Sequence, residues 1–481
     1  MIVKDSFFID GTWTAPATGH QLNVVSPLTE QVIAHVPEGM PDDMDAAVAA
    51  ARRAFDTGPW PRMTPAERGI ILRRMAAHIR ENIEAITDTI VAEVGVPRTA
   101  VRANNEAVAL LLDYYSKMAE NYAIEDVRDG LFGKVTVRSE PVGVVAAIVP
   151  WNGPLFLLML KCAPALAAGC TIVAKPAVET PLCAYHLAEA ALAAGLPEGV
   201  LNVVQADRAA GEYLVRHKGI DKVSFTGSTV AGRAIASICG QDLKRVSLEL
   251  GGKSAGIVLD DARVEDVVNT VVSRGLAANN GQACLAITRV LLPRGRYDEF
   301  VEAITEKVKS LKVGDPNDVA TNVGPLITAR QRDRVENYLA IGKREGARAT
   351  VGGGRPSAFN HGWFVEPTVF ADADNSMTIA QEEIFGPVGT LIPYDSEEDA
   401  VRIANDSIYG LGGAVFTADV PRAFRVARQI RTGIYGVNGY ALDLGAPFGG
   451  FKASGLGREM GKEGFEGFLE KKSIYGVEQP V

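Results

Sequence analysis

Apolar positions along this chain change their period twice. From 41 to about 122 they recur at helical spacing, with Ile70, Ile71, Met75, Ile79, Ile83 and Ile86 keeping to one face. Thr64-Pro65-Ala66-Glu67 reads as a capping box with proline at the first helical position, and Gly95 is placed to close the stretch. The spacing predicts helices over 41–56, from 65 toward 95 and over 98–122, so the first region of the chain reads as helical. Residues 134–140 alternate instead, as half of a hairpin standing outside a core would. Such a strand is suited to pairing with another subunit or with the tail, where 472–476 reads as a short strand.

From 142 onward, continuous apolar runs alternate with helical stretches. The runs 142–149, 170–175, 200–205, 222–226 and 246–250 read as buried parallel strands. Helices are expected over 155–168, 180–195 and 230–239, with a short one after the third strand. A second block, about 252–431, repeats the alternation. Its strands are expected near 254–259, 289–292, 388–393 and 412–416, and its helices near 264–277, 297–311, 329–346, 397–404 and 422–431. Strict β-α alternation of this kind predicts an α/β fold with two doubly wound parallel sheets.

Composition narrows the picture. With 481 residues the chain exceeds one ordinary domain, and 47% apolar with 22% charged residues is globular composition. A net charge of −9 argues against a nucleic-acid partner, which needs a basic surface. The five cysteines are irregularly spaced and include no Cys-x-x-Cys pair, so neither a zinc site nor a disulfide framework is expected, and a reducing compartment is the simplest reading. The apolar segment 144–168 contains Pro150, Asn152, Pro154, Lys161 and Pro164, which fits a buried strand, loop and helix better than a membrane span. The first ten residues lack a basic region followed by an apolar stretch, so no signal peptide is expected there.

Candidate chemistry gathers at the strand ends. Cys162, Cys170, Cys183 and Cys239 sit in apolar helices or strands and read as structural. Cys284 differs: Asn280, Gly281 and Gln282 before it build a turn that exposes backbone N–H groups, and a thiol there needs a base, dipole or cation to become a nucleophile. Glu249 ends an apolar strand and precedes two glycines, which places it at the carboxyl edge of a sheet, though pairing with Lys253 is an equal reading. Asn152, after Pro150 and Trp151, could aim an amide into the same crevice as an oxyanion donor, or merely form a turn. Gly227 and Ser228 open a helix whose amides could receive a phosphate, with Gly232 allowing that helix to approach closely; alone this is a weak signal. Lys175 ends the second strand where dinucleotide folds usually place an acid, or is a solvated strand-end lysine.

Together, LELGGKS (248–254), NNGQAC (279–284), PWN (150–152), FTGST (225–229), EEIFGPV (382–388) and PFGGFKASGLGRE (447–459) closely resemble the aldehyde dehydrogenase superfamily, in the family's order and over nearly the whole chain. The resemblance implies a Rossmann-like cofactor domain (1–122, 141–250 and 433–460), a catalytic domain (251–432) and a small β oligomerisation arm (123–140 and 461–481). It implies Cys284 as nucleophile, Glu249 as the base that activates water, and Asn152 with the Cys284 backbone N–H as the oxyanion hole. Lys175 would bond the adenosine ribose, Gly227 and Ser228 the pyrophosphate, and Glu383 the nicotinamide ribose, with Phe385 packed beside the cofactor, Trp151 lining the adenosine-side cleft, and Pro150 and Gly232 also among the cofactor-binding residues. Glu459 would support Glu249 and Lys161 from behind. No metal is implied.

One departure from the family pattern stands out. Where the family often has Lys-Pro-x-Glu, this chain has Lys175-Pro176-Ala177-Val178, with Glu179 one residue late, so both NAD and NADP remain open as the cofactor. Phe156, Leu157, Leu160, Leu285 and Phe448 are expected to line an apolar substrate pocket, and no arginine stands out for a substrate carboxylate, which favours a hydrophobic aromatic or aliphatic aldehyde. A cytoplasmic homo-oligomer, dimer or tetramer, with a small-molecule aldehyde as partner and neither nucleic acid nor membrane, completes the expectation. The competing readings are a CoA-acylating enzyme, a semialdehyde dehydrogenase, a cofactor-free thiol esterase and a non-catalytic binding protein; Glu249 argues against the first, and intact Cys284, Glu249 and Asn152 against the last.

Overall fold

A computed structural model describes residues 1–439 and 441–476. Its largest sheet has eight strands in the order Gly455–Leu456, Arg245–Glu249, Lys222–Thr226, Val144–Ile148, Thr171–Lys175, Leu201–Val203, Phe7–Ile9 and Thr12–Thr14. The five from Arg245–Glu249 to Leu201–Val203 run parallel, and the outer strands are antiparallel. Alternation along Val144–Ile148 explains why that strand is apolar throughout. Val145 and Ala147 enter one core with the helices Pro65–Glu81, Arg98–Asn121 and Pro154–Ala168, while Val144, Ala146 and Ile148 enter another with Pro41–Asp56, Arg208–Arg216 and Thr229–Asp242.

A second, seven-stranded sheet has the order Arg348–Val351, Thr368–Ala371, Val388–Tyr394, Ile287–Pro293, Ser254–Val258, Gly413–Phe416 and Gly436–Val437, parallel except for its first pair. Because Gly436–Val437 extends this sheet, the chain rejoins the first sheet at Gly455–Leu456, later than the expected boundary at 433.

The first region is not wholly helical. Ahead of Pro41–Asp56 lie five short strands: Ile2–Val3, Phe7–Ile9, Thr12–Thr14, Gln21–Val25 and Val32–Pro37. Asp10 and Gly11, both with positive φ (55° and 75°), turn the chain between Phe7–Ile9 and Thr12–Thr14. The helix expected from 264 to 277 ends as α-helix at Val271 and continues as a π-helical turn, Val272–Leu276, where Gly275 lies against the Ile287 carbonyl. The helix expected from 180 begins at Cys183, and the Leu182 N–H before it donates to the buried Glu93 carboxylate at 2.7 Å.

Outside both sheets, the hairpin Glu125–Gly130 and Gly133–Pro141 pairs antiparallel with Leu469–Tyr475 of the same chain. Leu131 and Phe132 at its tip are fully exposed. Residues 477–481 of the expected arm lie outside the described residues. Among the described residues no helix is long and apolar enough to cross a membrane.

Candidate active site

In the first sheet the strand order reverses around Val144–Ile148: the chain steps to Thr171–Lys175 and Leu201–Val203 on one side, and to Lys222–Thr226 and Arg245–Glu249 on the other. Loops that leave a switch point diverge and open a crevice at the carboxyl edge. Pairing aligns Ile148 with Lys175 and Phe225, and Thr226 with Glu249, so these strand ends share one rim. A cavity of about 230 Å³ lies there, walled by Trp151 and Asn152 from a loop of the first sheet, by Leu157 from the helix Pro154–Ala168, and by Cys284, Glu383 and Phe385 from the second sheet's loops. A cavity of about 520 Å³ adjoins it, sharing Pro150, Trp151, Thr226 and Gly227, and reaches Lys175, Val178 and Glu179.

Cys284 lies between the 3-10 turn Ala278–Gly281 and the strand Ile287–Pro293. Asn279, Asn280 and Gly281 are consecutively left-handed (φ 51°, 58° and 74°). A β-carbon on Gly281 would strike the backbone of Gly386 and Pro387, so the loop lies directly on the segment that carries Glu383 and Phe385. Asn280 is wholly buried: its Nδ2 donates to the carbonyls of Gly95 (3.0 Å) and Pro325 (2.9 Å), and its Oδ1 accepts from Gly324 N–H (2.8 Å). Gln282 Oε1 accepts from Ile327 N–H at 3.1 Å. These bonds hold a sharply turned segment in one shape. Cys284 is half-buried, whereas the other four cysteines are buried. Burial, together with Glu383 and Glu249, pushes its thiol up to about 12, while the N–H groups of Cys284 and Leu285 draw it down.

Asn152 Nδ2 donates to the Gln282 carbonyl at 2.9 Å. A carboxamide has two N–H donors, so one remains for the cavity that Asn152 shares with Cys284. Glu249 is 3% exposed, and among the described residues neither of its oxygens receives a hydrogen bond. Burial and the neighbouring Glu459 hold its carboxyl well above the usual carboxylate range, against the pull of Lys161 and Arg458. Lys161, buried in the helix Pro154–Ala168, forms an ion pair with Glu459 and donates to Thr226 Oγ1 at 2.6 Å. The expected grouping of Glu249, Lys161 and Glu459 is therefore one buried cluster.

On the other side of the crevice, Lys175 Nζ donates to the carbonyls of Ala206 (2.7 Å) and Pro176 (3.0 Å), and burial pulls it down to about 8. It is not the solvated strand-end lysine of the alternative reading. Ser228 caps the helix Thr229–Asp242 by accepting from Ala231 N–H, and a β-carbon on Gly232 would come within 2.5 Å of Leu250, so that helix packs tightly on the strand end. Glu383 Oε1 accepts from Gly252 N–H at 3.0 Å, and burial pushes the group up to about 7. The Phe385 ring meets Trp151 edge-on at 5.4 Å.

The expected substrate-pocket residues disperse. Leu157 lines the Cys284 cavity, Phe156 lines a small cleft beside Asn152 and Asn279, and Leu285 is half-buried against the core. Leu160 and Phe448 are buried in that core, 1% and 5% exposed, rather than standing on the cavity wall; apart from Lys161 the helix Pro154–Ala168 is apolar, so its sequence does not mark which face meets the cavity. Two wall residues carry no local signal. Gln331 and Arg334 come from the charge-rich helix Ala329–Arg344, which reads as a solvated surface helix. Arg334 donates to the Glu383 and Ile384 carbonyls, at 2.6 and 3.3 Å, so the arginine present at this wall is engaged with backbone.

Comparison with known proteins bears on this arrangement. The profile of the aldehyde dehydrogenase family matches residues 13–474. A geranial dehydrogenase of Castellaniella defragrans is 48% identical over 470 residues, which cover 97% of this chain and 98% of the relative. A 3-succinoylsemialdehyde-pyridine dehydrogenase of a Pseudomonas species is 42% identical over 474 residues, 98% of each chain. The structure of a Mycobacterium tuberculosis aldehyde dehydrogenase complexed with NAD+ superposes with a TM-score of 0.98 at 48% identity and covers 100% of both chains.

Proposed function

The chain belongs to the aldehyde dehydrogenase family, and from that premise we propose that Cys284 is the nucleophile of an enzyme that oxidises a hydrophobic aldehyde to its acid through a thioester hydrolysed by water. It is an oxidoreductase that uses a nicotinamide cofactor. The observation that carries the site assignment is that Cys284, Asn152 and Glu383 wall one cavity, which Leu250 and Gly251, the two residues after Glu249, also line.

The residues present fit the cofactor. Lys175 keeps a third N–H after its two carbonyl bonds, Gly227 lines both cavities at a place where the Phe225 ring leaves no room for a β-carbon, and the paired cavities offer room for a dinucleotide. Lys175 would hold the adenosine ribose, Gly227 and Ser228 the pyrophosphate, and Glu383 the nicotinamide ribose, with Phe385, Trp151, Pro150 and Gly232 shaping the walls. NAD(P)+, when bound, supplies the hydride acceptor.

The chain's own groups do the rest. The Cys284 thiolate adds to the carbonyl carbon, and the alkoxide is received by the free N–H of Asn152 and the Cys284 backbone N–H. After oxidation a thioester remains on Cys284. Glu249 takes a proton from water, which attacks the thioester; the acid leaves and the thiolate returns.

Residues 1–122, 141–250 and most of 433–460 would form the cofactor-binding unit and 251–432 the catalytic unit. The arm would bridge subunits of a dimer or a dimer of dimers; the exposed Leu131 and Phe132 support this reading. A hydrophobic aldehyde is favoured by Leu157 and Phe156 near Asn152 and by the geranial dehydrogenase relative. Cys284→Ala tests the assignment: NADH formation is lost while cofactor binding stays. Retained turnover would overturn it.

A further inference from the structure

We infer that Asn279 is a positioning residue for the Asn152 amide, an inference that rests on reading Asn152 as the oxyanion donor. Asn279 Nδ2 donates to the main-chain carbonyl of Asn152 at 2.6 Å and to the carbonyl of Gln282 at 3.0 Å. Asn152 Nδ2 donates to that same Gln282 carbonyl at 2.9 Å. Three hydrogen bonds thus close a triangle between the loop that leaves the first sheet and the loop that carries the nucleophile. Asn152 is gripped at both ends, its main-chain oxygen by Asn279 and its side-chain nitrogen by Gln282.

The far side of the triangle is tied to the rest of the fold by further hydrogen bonds. Gln282 is fixed to Ile327 N–H, and Asn280 is clamped among Gly95, Gly324 and Pro325. Both N–H donors of Asn279 are used within the triangle, so its carboxamide is spent on holding Asn152 against this frame. The two hydrogens on the Asn152 nitrogen lie in one plane. With one of them on the Gln282 carbonyl, the direction of the other, which receives the developing alkoxide, follows from the orientation of that plane. Removing the Asn279 side chain frees the main chain at Asn152 and lets the plane turn. A misplacement of about 1 Å at such a donor costs on the order of 10²-fold in rate. Asn279 also occupies the left-handed region (φ 51°, ψ 36°), which asparagine tolerates better than most residues and where its short side chain reaches back to both carbonyls.

The test is a double-mutant cycle on the full-length enzyme. Asn279→Gly removes the side chain without placing a β-carbon in a left-handed conformation. Asn279→Asp keeps the shape but turns an oxygen toward two carbonyl oxygens. Both are expected to lower kcat for NADH formation by about tenfold to a hundredfold while the cofactor Kd stays within about twofold, and Asn152→Ala by about 10²–10³. Added to Asn152→Ala, either Asn279 change is expected to cost less than about twofold more, because its effect is routed through an amide already gone. Losses that multiply, or an unchanged kcat in both Asn279 variants, overturn the inference while leaving the role of Asn152 intact. An unchanged kcat in Asn152→Ala alone overturns both. If Asn279→Gly fails to fold, Asn279→Asp carries the same comparison.

Discussion

Glu249 and Glu459 are neighbouring buried carboxylates, 3% and 4% exposed, and the ammonium that offsets their repulsion is that of Lys161, itself sealed from solvent. Glu459 raises the Glu249 carboxyl and Lys161 lowers it. Glu459→Gln therefore moves the rising limb of the kcat–pH profile to lower pH, since Glu249 then loses its proton more readily and is a base over a wider range. Lys161→Met leaves two carboxylates without their cation and should destabilise the protein by about 3–5 kcal/mol, seen as a lowered thermal midpoint. A limb unmoved by Glu459→Gln would mean that another group sets it.

Glu249 acts after the oxidation in the proposed sequence. Glu249→Gln should therefore release about one equivalent of NADH per site in a rapid phase and then stall, with the protein mass increased by the acyl group. Steady turnover at the unaltered rate would remove Glu249 from the role of base.

The Cys284 thiol is pushed up to about 12 by burial first, then by Glu383 and Glu249. Without cofactor, its alkylation by iodoacetamide should be slow at neutral pH and rise about tenfold per pH unit, because only the thiolate reacts. Glu383→Gln removes one negative neighbour, so the thiolate forms more readily and alkylation at a fixed pH is faster. A pH-independent rate would show that the sulfur is already ionised.

Val178 lines the larger cavity with Lys175, which the proposed reading places at the adenosine ribose, and Glu179 beside it leans to Arg330 at 3.4 Å. Kinetics with NAD and with NADP decide between the two cofactors. Val178→Glu should lower kcat/KM with NADP by about tenfold or more relative to NAD, as a close like-charge pair costs more than 1 kcal/mol. Equal ratios in both proteins would show that residue 178 does not read the ribose.

Parallel strands were the legible part of this fold, because burial on both faces writes an unbroken apolar run such as Val144–Ile148. The strands of the first forty residues were not, being two to six residues long; the Asp10-Gly11 pair between Phe7–Ile9 and Thr12–Thr14 is the local signal that marks one of them. Cys284, Glu249 and Asn152 stood out because loop residues at strand ends are few and chemically distinct. Arg334 and Gln331 did not, since a polar helix side looks alike whether it faces water or a cleft. Leu160 and Phe448 were drawn to the pocket by being apolar, which equally suits the core they occupy. Side chains around a fold's crevice are chosen by tertiary packing, and a one-dimensional pattern does not carry that choice.

The two-residue strand Gly455–Leu456 closes the edge of the first sheet beside Arg245–Glu249, and Glu459 follows three residues later. A polypeptide emerging from the ribosome thus exposes an open β edge, with Glu249 lacking its acidic neighbour, until residues 455–459 have been made. The buried cluster of Glu249, Lys161 and Glu459 is complete only once Glu459 has been made, and a product that stops before that residue carries Cys284 without it.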